Sequence, residues 1–327
     1  MNLIFSESGD LFLKKVLEWL NTFGHSFERI NYNFDSLCIG NVSMKYSNNF
    51  LLKNLTTPIF INDIDSVWYN RGLIQVPNLG ISSYENLKTE FDLSSIKYSE
   101  SYNESIREII LDKLNTKKWI GVYGKNRQNK IIALNIAANN NLEVPQWEVV
   151  SSKSDLLSFY ETHEKIIVKS LDSTFTCIDQ QRGGGIITSY TNFLQKKQIL
   201  SLPKFFPPSL IQRYIDKKLE VRCFFLKGKC YSTAILSQRS QRTSVDYRKY
   251  DLKNMNRYIP FKLPIDIEKK ITSLMNELNL ETGSIDIIYS KDNKFYFLEV
   301  NPTGQFSGLA SLCNYDLDKK IALELIK

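Results

Sequence analysis

Histidine is almost missing from this chain: 327 residues contain two, His25 and His163. A histidine-centred catalytic triad or a multi-histidine metal site is therefore not expected, and any chemistry falls to carboxylates, lysines and arginines. Cysteine is sparse too. Cys38, Cys177, Cys223, Cys230 and Cys313 are spread along the chain with no CxxC spacing, which fits neither a disulfide framework nor a zinc site. A reduced, cytoplasmic setting is the expectation. No stretch approaches the roughly 18 apolar residues that a bilayer-crossing helix needs, and Met1–Glu7 lacks the basic start and long apolar run of a signal peptide. No membrane partner is expected. Recognition-helix and zinc-finger patterns are also missing, and the basic residues are scattered, so nucleic acid is not an expected partner either.

What the chain does have is an ordinary globular composition, 43% apolar and 24% charged, long enough for two or three compact units. Lys plus Arg exceed Asp plus Glu by seven, a mild excess that suits an enzyme handling phosphates or an acidic peptide. The first 115 residues alternate strand and helix signals. Asn2–Phe5, Ser26–Ile30 and Ser66–Tyr69 read as strands, and Leu11–Phe23 reads as a helix ended by Gly24. Ile106, Ile109, Ile110 and Leu114 suggest one apolar helical stripe, and Asn129–Ala138 a further helix closed by Asn139–Asn141. From Gln146 onward strands dominate. The fold class is α/β (α+β), with three parts expected at residues 1–115, 116–205 and 206–327.

The most specific signal lies near the C-terminus. Gly283–Tyr289 and Phe295–Pro302 flank Ser290–Lys294, a segment with hairpin-turn chemistry. If Asp292 and Asn293 form the turn centre, Asp286 sits directly across from Glu299. Alternation then puts Glu299 and Asn301 on the face of Asp286. Two carboxylates facing each other repel unless a positive charge lies between them. Two carboxylates and an amide form an oxygen-only set that suits Mg²⁺; the plainer alternative is a surface hairpin whose acids face water.

Four upstream features have the chemistry of a nucleotide cradle. Lys169 ends the apolar strand Ile166–Val168, a place from which an ammonium can reach a phosphate, although a strand-end lysine is more often a solvated charge. Gly183–Gly185 could fold N–H groups over phosphates or simply form a flexible turn. Leu210–Ile215 has the look of a linker whose backbone pairs with an adenine edge. In Leu219–Phe224 the alternation sets Glu220 and Arg222 on one face, opposite Val221 and Cys223. That pair suits ribose hydroxyls and phosphates, or an exposed ion pair.

Taken in this order, the pieces resemble the ATP-grasp superfamily: Lys130 and Lys169, the linker Gln212, Arg213, Tyr214 and Ile215, and the metal set Asp286, Glu299 and Asn301. The run Leu298–Phe306 matches closely, and residues 1–115 resemble the α/β domain that precedes such a fold. Ser66–Arg71, Ser237-Gln238, Asp246-Tyr247-Arg248 and Cys313-Asn314-Tyr315 are similar to segments of the graspetide maturases, particularly the grasp-with-spasm type. Trp119-Ile120-Gly121 departs from the Trp-Ile-Asn that relatives tend to carry. The resemblance implies ATP and Mg²⁺ as cofactors and a ribosomally made precursor peptide (leader plus core) as partner. It also implies a homodimer and crosslinking of peptide side chains through esters or amides. On that basis Arg222 and Arg248 neutralise the γ-phosphate and the acyl phosphate, Lys130 and Lys169 hold the α- and β-phosphates, and Glu220 takes the ribose. A ligase of the same fold that adds free amino acids to a peptide terminus would share this nucleotide half. A binding module that has lost catalysis is a third reading, opposed by the full set of acids and arginines.

Overall fold

The computed structural model describes residues 1–43, 49–77, 90–172, 176–179, 185–188, 191–237, 256–304 and 306–327. They form two compact units, residues 1–126 together with 316–327, and residues 127–315.

The first unit is built on the parallel sheet β2-β1-β6-β7, with β1 Asn2–Ser6, β2 Phe27–Asn31, β6 Ser66–Tyr69 and β7 Lys118–Ile120. Strands β1 and β6 are buried along their whole length, as strands of a parallel sheet covered on both faces are. Helix α1, Leu11–Thr22, starts where the Asp10 carboxylate accepts from the N–H groups of Phe12 and Leu13 at 3.0 and 3.2 Å. Leu13, Val16 and Leu20 form its buried stripe. The long helix α2, Glu90–Leu114, buries Ile106, Ile110 and Leu114 at four-residue spacing. Ile109, expected in the same stripe, lies off it and is exposed. A three-stranded antiparallel sheet of β3 Leu37–Asn41, β4 Phe50–Lys53 and β5 Thr57–Phe60 completes the unit before the last helix. That helix, α8, is Leu317–Ile326; Lys319 stands over the Trp19 ring at 4.8 Å, and the Lys118 ammonium donates to the Glu324 carbonyl.

Gly121 accounts for the departure at Trp119-Ile120-Gly121. Its φ is +80°, and a Cβ there would lie 2.4 Å from the Tyr69 carbonyl oxygen. Asparagine tolerates the left-handed region, but in this chain the close backbone approach leaves room only for glycine.

The second unit carries two antiparallel sheets. One has the order β12-β9-β13-β8, from β8 Trp147–Ser152, β9 Ile166–Lys169, β12 Asn192–Leu194 and β13 Phe205–Arg213. Leu156 and Phe159 of α4, Lys153–His163, pack on Val150, Ile166 and Ile211 of this sheet. The other sheet has the order β16-β15-β14-β17-β18, with β14 Lys217–Leu226, β15 Lys229–Leu236, β16 Arg257–Phe261, β17 Thr282–Ser290 and β18 Phe295–Asn301. One face is covered by α3, Lys130–Asn139, and α6, Ile265–Glu277, which enclose Val221, Cys223, Phe225, Ile285, Ile287, Phe297 and Val300. The opposite face holds the charged residues.

Candidate nucleotide and metal site

The hairpin pairs Asp286 with Glu299 as expected, but by a different route. The turn is a longer loop, closed by the Ser290 N–H donating to the Lys294 carbonyl at 3.0 Å, with Asn293 at φ +63°. Pairing next to the loop joins Tyr289 with Phe295 and Ile287 with Phe297, one residue out of step. A bulge at Leu298 then absorbs the extra residue and brings Glu299 opposite Asp286. The same bulge explains why Phe297 and Val300, three apart, both enter the core; in a regular strand they would face opposite ways. Asn301 follows on β18, paired with the fully buried Ser284.

Across the sheet these positions form one row: Thr233 on β15, Arg222 on β14, Asp286 on β17 and Glu299 on β18. Arg222 donates through Nη1 to both oxygens of Asp286, at 2.8 and 3.1 Å. Lys130, the first residue of α3, brings its ammonium to 3.4 Å from the Glu299 carboxylate. That ammonium also donates to the Ser170 carbonyl at 3.2 Å, just beyond Lys169. Asn129 caps α3, its side chain accepting from the N–H groups of Ile131 and Ile132, and so fixes where Lys130 starts. Two acids and two cations therefore alternate over a short span, each charge held by one of opposite sign.

Glu220 lies two residues before Arg222 on the same face, while Val221 and Cys223 are buried on the other. Burial raises the Glu220 carboxyl above its ordinary range, and Lys217 and Ser237 pull it back down. Its Oε1 accepts from the Lys217 ammonium at 2.6 Å and from the Ser237 hydroxyl at 2.8 Å. In the linker, Gln212 is buried with its Oε1 unpaired. The N–H of Arg213 donates to the Gln146 carbonyl and that of Tyr214 to the Lys165 carbonyl. The Arg213 guanidinium reaches the Gln146 side chain at 2.6 Å and the Tyr296 hydroxyl at 3.4 Å. The Tyr214 ring lies against Phe193 with centroids 4.6 Å apart, and Ile215 is buried.

Lys169 ends β9, opposite Leu210 of β13. Arg248, with Asp246 and the Gly183-Gly184 segment, falls outside the described residues. Among the described residues no group of three His, Cys, Asp or Glu side chains could hold a metal; the set on offer is two carboxylates and an amide. It fits a hard cation, because the donors are all oxygen and the facing acids already need positive charge from Arg222 and Lys130. Sequence reasoning missed Lys217, which stands beside Lys218 in the chain with no motif of its own. It also missed Tyr296 and Gln146, whose partners are set by pairing of distant strands.

Set beside known proteins, residues 127–325 match the RimK-like ATP-grasp domain family. No curated protein matches the chain by sequence. Among solved structures the chain is similar to the macrocyclase MdnC bound with precursor peptide MdnA from Microcystis aeruginosa MRC. The two share 22% identity and a TM-score of 0.75, over 100% of this chain and 99% of that one. It is also similar to a Chryseobacterium gregarium RiPP-associated ATP-grasp ligase in complex with ADP and a leader and core peptide, at 24% identity and TM-score 0.77, covering 100% and 97%. The ATP-grasp ligase PsnB, complexed with minimal precursor, Mg and ADP, is a third, at 14% identity and TM-score 0.70, covering 99% and 97%. At these identities the likeness establishes a common fold, shared from end to end.

Proposed function

Since this chain belongs to the RimK-like ATP-grasp domain family, whose fold is that of ATP-dependent ligases, we propose that it crosslinks side chains of a ribosomal precursor peptide. The observation that carries the reading is the charged row Lys130–Glu299–Asp286–Arg222, held on the face of a sheet opposite its α3–α6 core. The end-to-end likeness to ligases described with precursor peptides supports the choice of substrate.

Asp286, Glu299 and Asn301 would hold Mg²⁺, which supplies positive charge to the nucleotide phosphates when bound. Glu220 takes the ribose hydroxyls, Lys130 and Lys169 hold the α- and β-phosphates, and Gln212–Ile215 lines the adenine. The N–H groups of Arg213 and Tyr214 are already engaged, which leaves the Ile215 N–H and the unpaired Gln212 Oε1 to face the base. The γ-phosphoryl group passes to an Asp or Glu side chain of the peptide, giving an acyl phosphate and ADP. Arg222 and Arg248 offset the charge that builds on the transferred oxygens. A Ser or Thr hydroxyl, or a Lys amine, of the same peptide then attacks the acyl carbon, phosphate leaves, and an ester or amide remains. Both reacting groups belong to one chain, which makes ring closure effectively unimolecular.

The three-part division at residues 1–115, 116–205 and 206–327, a homodimer and a cytoplasmic setting belong to the same proposal. Among the described residues no helix is long and apolar enough to cross a membrane. The test is mass spectrometry of a candidate precursor, one encoded beside this chain, after incubation with ATP and Mg²⁺. Loss of one water per link supports crosslinking, and mild base then separates esters from amides. ATP consumption that depends on a free amino acid, with that residue added to the peptide, would replace this reading by the amino-acid ligase.

A further inference from the structure

Lys217 is a lysine where a lysine is costly. Its side chain is 2% exposed, and a buried ammonium persists only when an anion accompanies it. The anion is Glu220, three residues on, with Nζ 2.6 Å from Oε1. A regular strand would send residues 217 and 220 to opposite faces. Here β14 pairs Lys217 with Ser290 but Leu219 with Tyr289, so Lys218 is an extra residue and the bulge turns Lys217 onto the face of Glu220. The displaced Lys218 points outward, its ammonium 5.3 Å from the Tyr289 ring centroid. Ser237, at the far end of the neighbouring β15, delivers its hydroxyl to the same Oε1 at 2.8 Å and is itself fully buried. Among the described residues both donors to Glu220 fall on this one oxygen.

The arrangement has a directional consequence. A carboxylate clamped at Oε1 by an ammonium and a hydroxyl cannot swing, and it presents Oε2 as the acceptor for a ligand hydroxyl. Lys217 also sets a positive charge against the burial, and against the neighbouring Asp286 charge, that together push the Glu220 carboxyl up. Held in place, the carboxylate accepts from a ribose hydroxyl with a charge-assisted bond; rotated, it loses that geometry. We propose that Lys217 is a positioning residue for the nucleotide. Together with Ser237 it aims Glu220 at the ribose 2′-hydroxyl and so sets the preference for ribonucleotide over 2′-deoxyribonucleotide. The proposal rests on the reading of Glu220 as the ribose acid.

Equilibrium binding of ADP and of 2′-deoxy-ADP, each with Mg²⁺, tests it by titration calorimetry, with the melting temperature of the free protein measured alongside. Wild type should favour ADP by about tenfold, the worth of one charge-assisted hydrogen bond. Lys217→Met should weaken ADP binding by about that factor and leave 2′-deoxy-ADP binding within about twofold, closing the gap. Lys217→Arg should restore most of it. A merely structural lysine would lower the melting temperature and weaken both nucleotides equally, and an unchanged ratio in Lys217→Met overturns the proposal. Should Lys217→Met not fold, Ser237→Ala, which removes the second clamp, should narrow the ratio about threefold, and an unchanged ratio there overturns it as well. Wild type that binds both nucleotides equally would remove the ribose role of Glu220 itself, and the proposal with it. Failure of the underlying reading is thereby distinguished from failure of the inference.

Discussion

The sheet of the first unit and the five-stranded sheet of the second are built on opposite plans. In the first, β1 and β6 run parallel and are buried at every position, including Asn2 and Ser66, which satisfy each other through a 2.7 Å hydrogen bond. In the second, antiparallel strands bury one face under α3 and α6 and leave Arg222, Asp286 and Glu299 half-buried on the other. A sheet covered on both faces has no side chain to spare for a ligand, whereas a sheet with its core on one face can put a row of charges on the other to use. Stability and chemistry are thereby separated, and substitutions can tell the two apart.

The sharpest break comes at the charged row. Asp286→Asn should lower ATP turnover by about 10²–10³-fold with little loss of fold, because the residue lies outside the α3–α6 core; ADP release against melting temperature shows both. Turnover retained at the wild-type level would remove the row from the reaction. Leu3→Ala is the counterpart in the first unit. It deletes a fully buried side chain and should cost about 3 kcal/mol in denaturant unfolding. ADP formation per folded molecule should stay within about twofold, as the general expectation is that core cavities act on stability. A parallel fall in turnover would mean that the two plans are not separable.

Gly304→Ala probes the border of the proposed metal set. Its Cβ would lie 2.4 Å from the Ser284 Cβ and 3.0 Å from the Asn301 carbonyl oxygen, and Ser284 is fully buried beside Asn301. Overpacking should cost about 2 kcal/mol and raise the Mg²⁺ concentration needed for half-maximal ADP binding. Titrating Mg²⁺ in both proteins checks this, and an unaltered Mg²⁺ requirement would separate Gly304 from the metal set.

The smallest effect belongs to Asp35, in the first unit. Burial works against its charge, but the Asn31 N–H, the Asn54 amide and Lys53 outweigh that and hold its carboxyl below the ordinary 3.8. A lowered folded value means that its stabilisation is complete above about 4 and is lost as pH falls through the folded value. Asp35→Asn should therefore cost about 1 kcal/mol at pH 7, and the gap to wild type should close below pH 3.8. Unfolding curves at neutral and acid pH measure it, and a gap that persisted in acid would assign the effect to packing.

Local pattern decides much of this molecule. The apolar runs of β1 and β6, the cap and stripe of α1, and the alternation that sets Glu220 and Arg222 opposite Val221 and Cys223 all follow from residues adjacent in the chain. The β3–β4–β5 sheet does not announce itself, because its tight turn uses Asn54 and Leu55 at positive φ where the familiar signal is Asn-Gly. At the site, the residue types and their order could be read directly, as could the pairing of Asp286 with Glu299. The bulges at Leu298 and Lys218 could not, since an extra residue in a strand has no composition of its own. It is forced by the competition between a turn that starts out of step and a core that demands Phe297 and Val300 together. Amino-acid order alone thus determined which groups are proposed to hold a nucleotide and a metal. Only the tertiary structure decided that Lys130 meets Glu299 and that Lys217 is buried against Glu220, because both pairings depend on side chains being turned to a face by contacts far away in sequence.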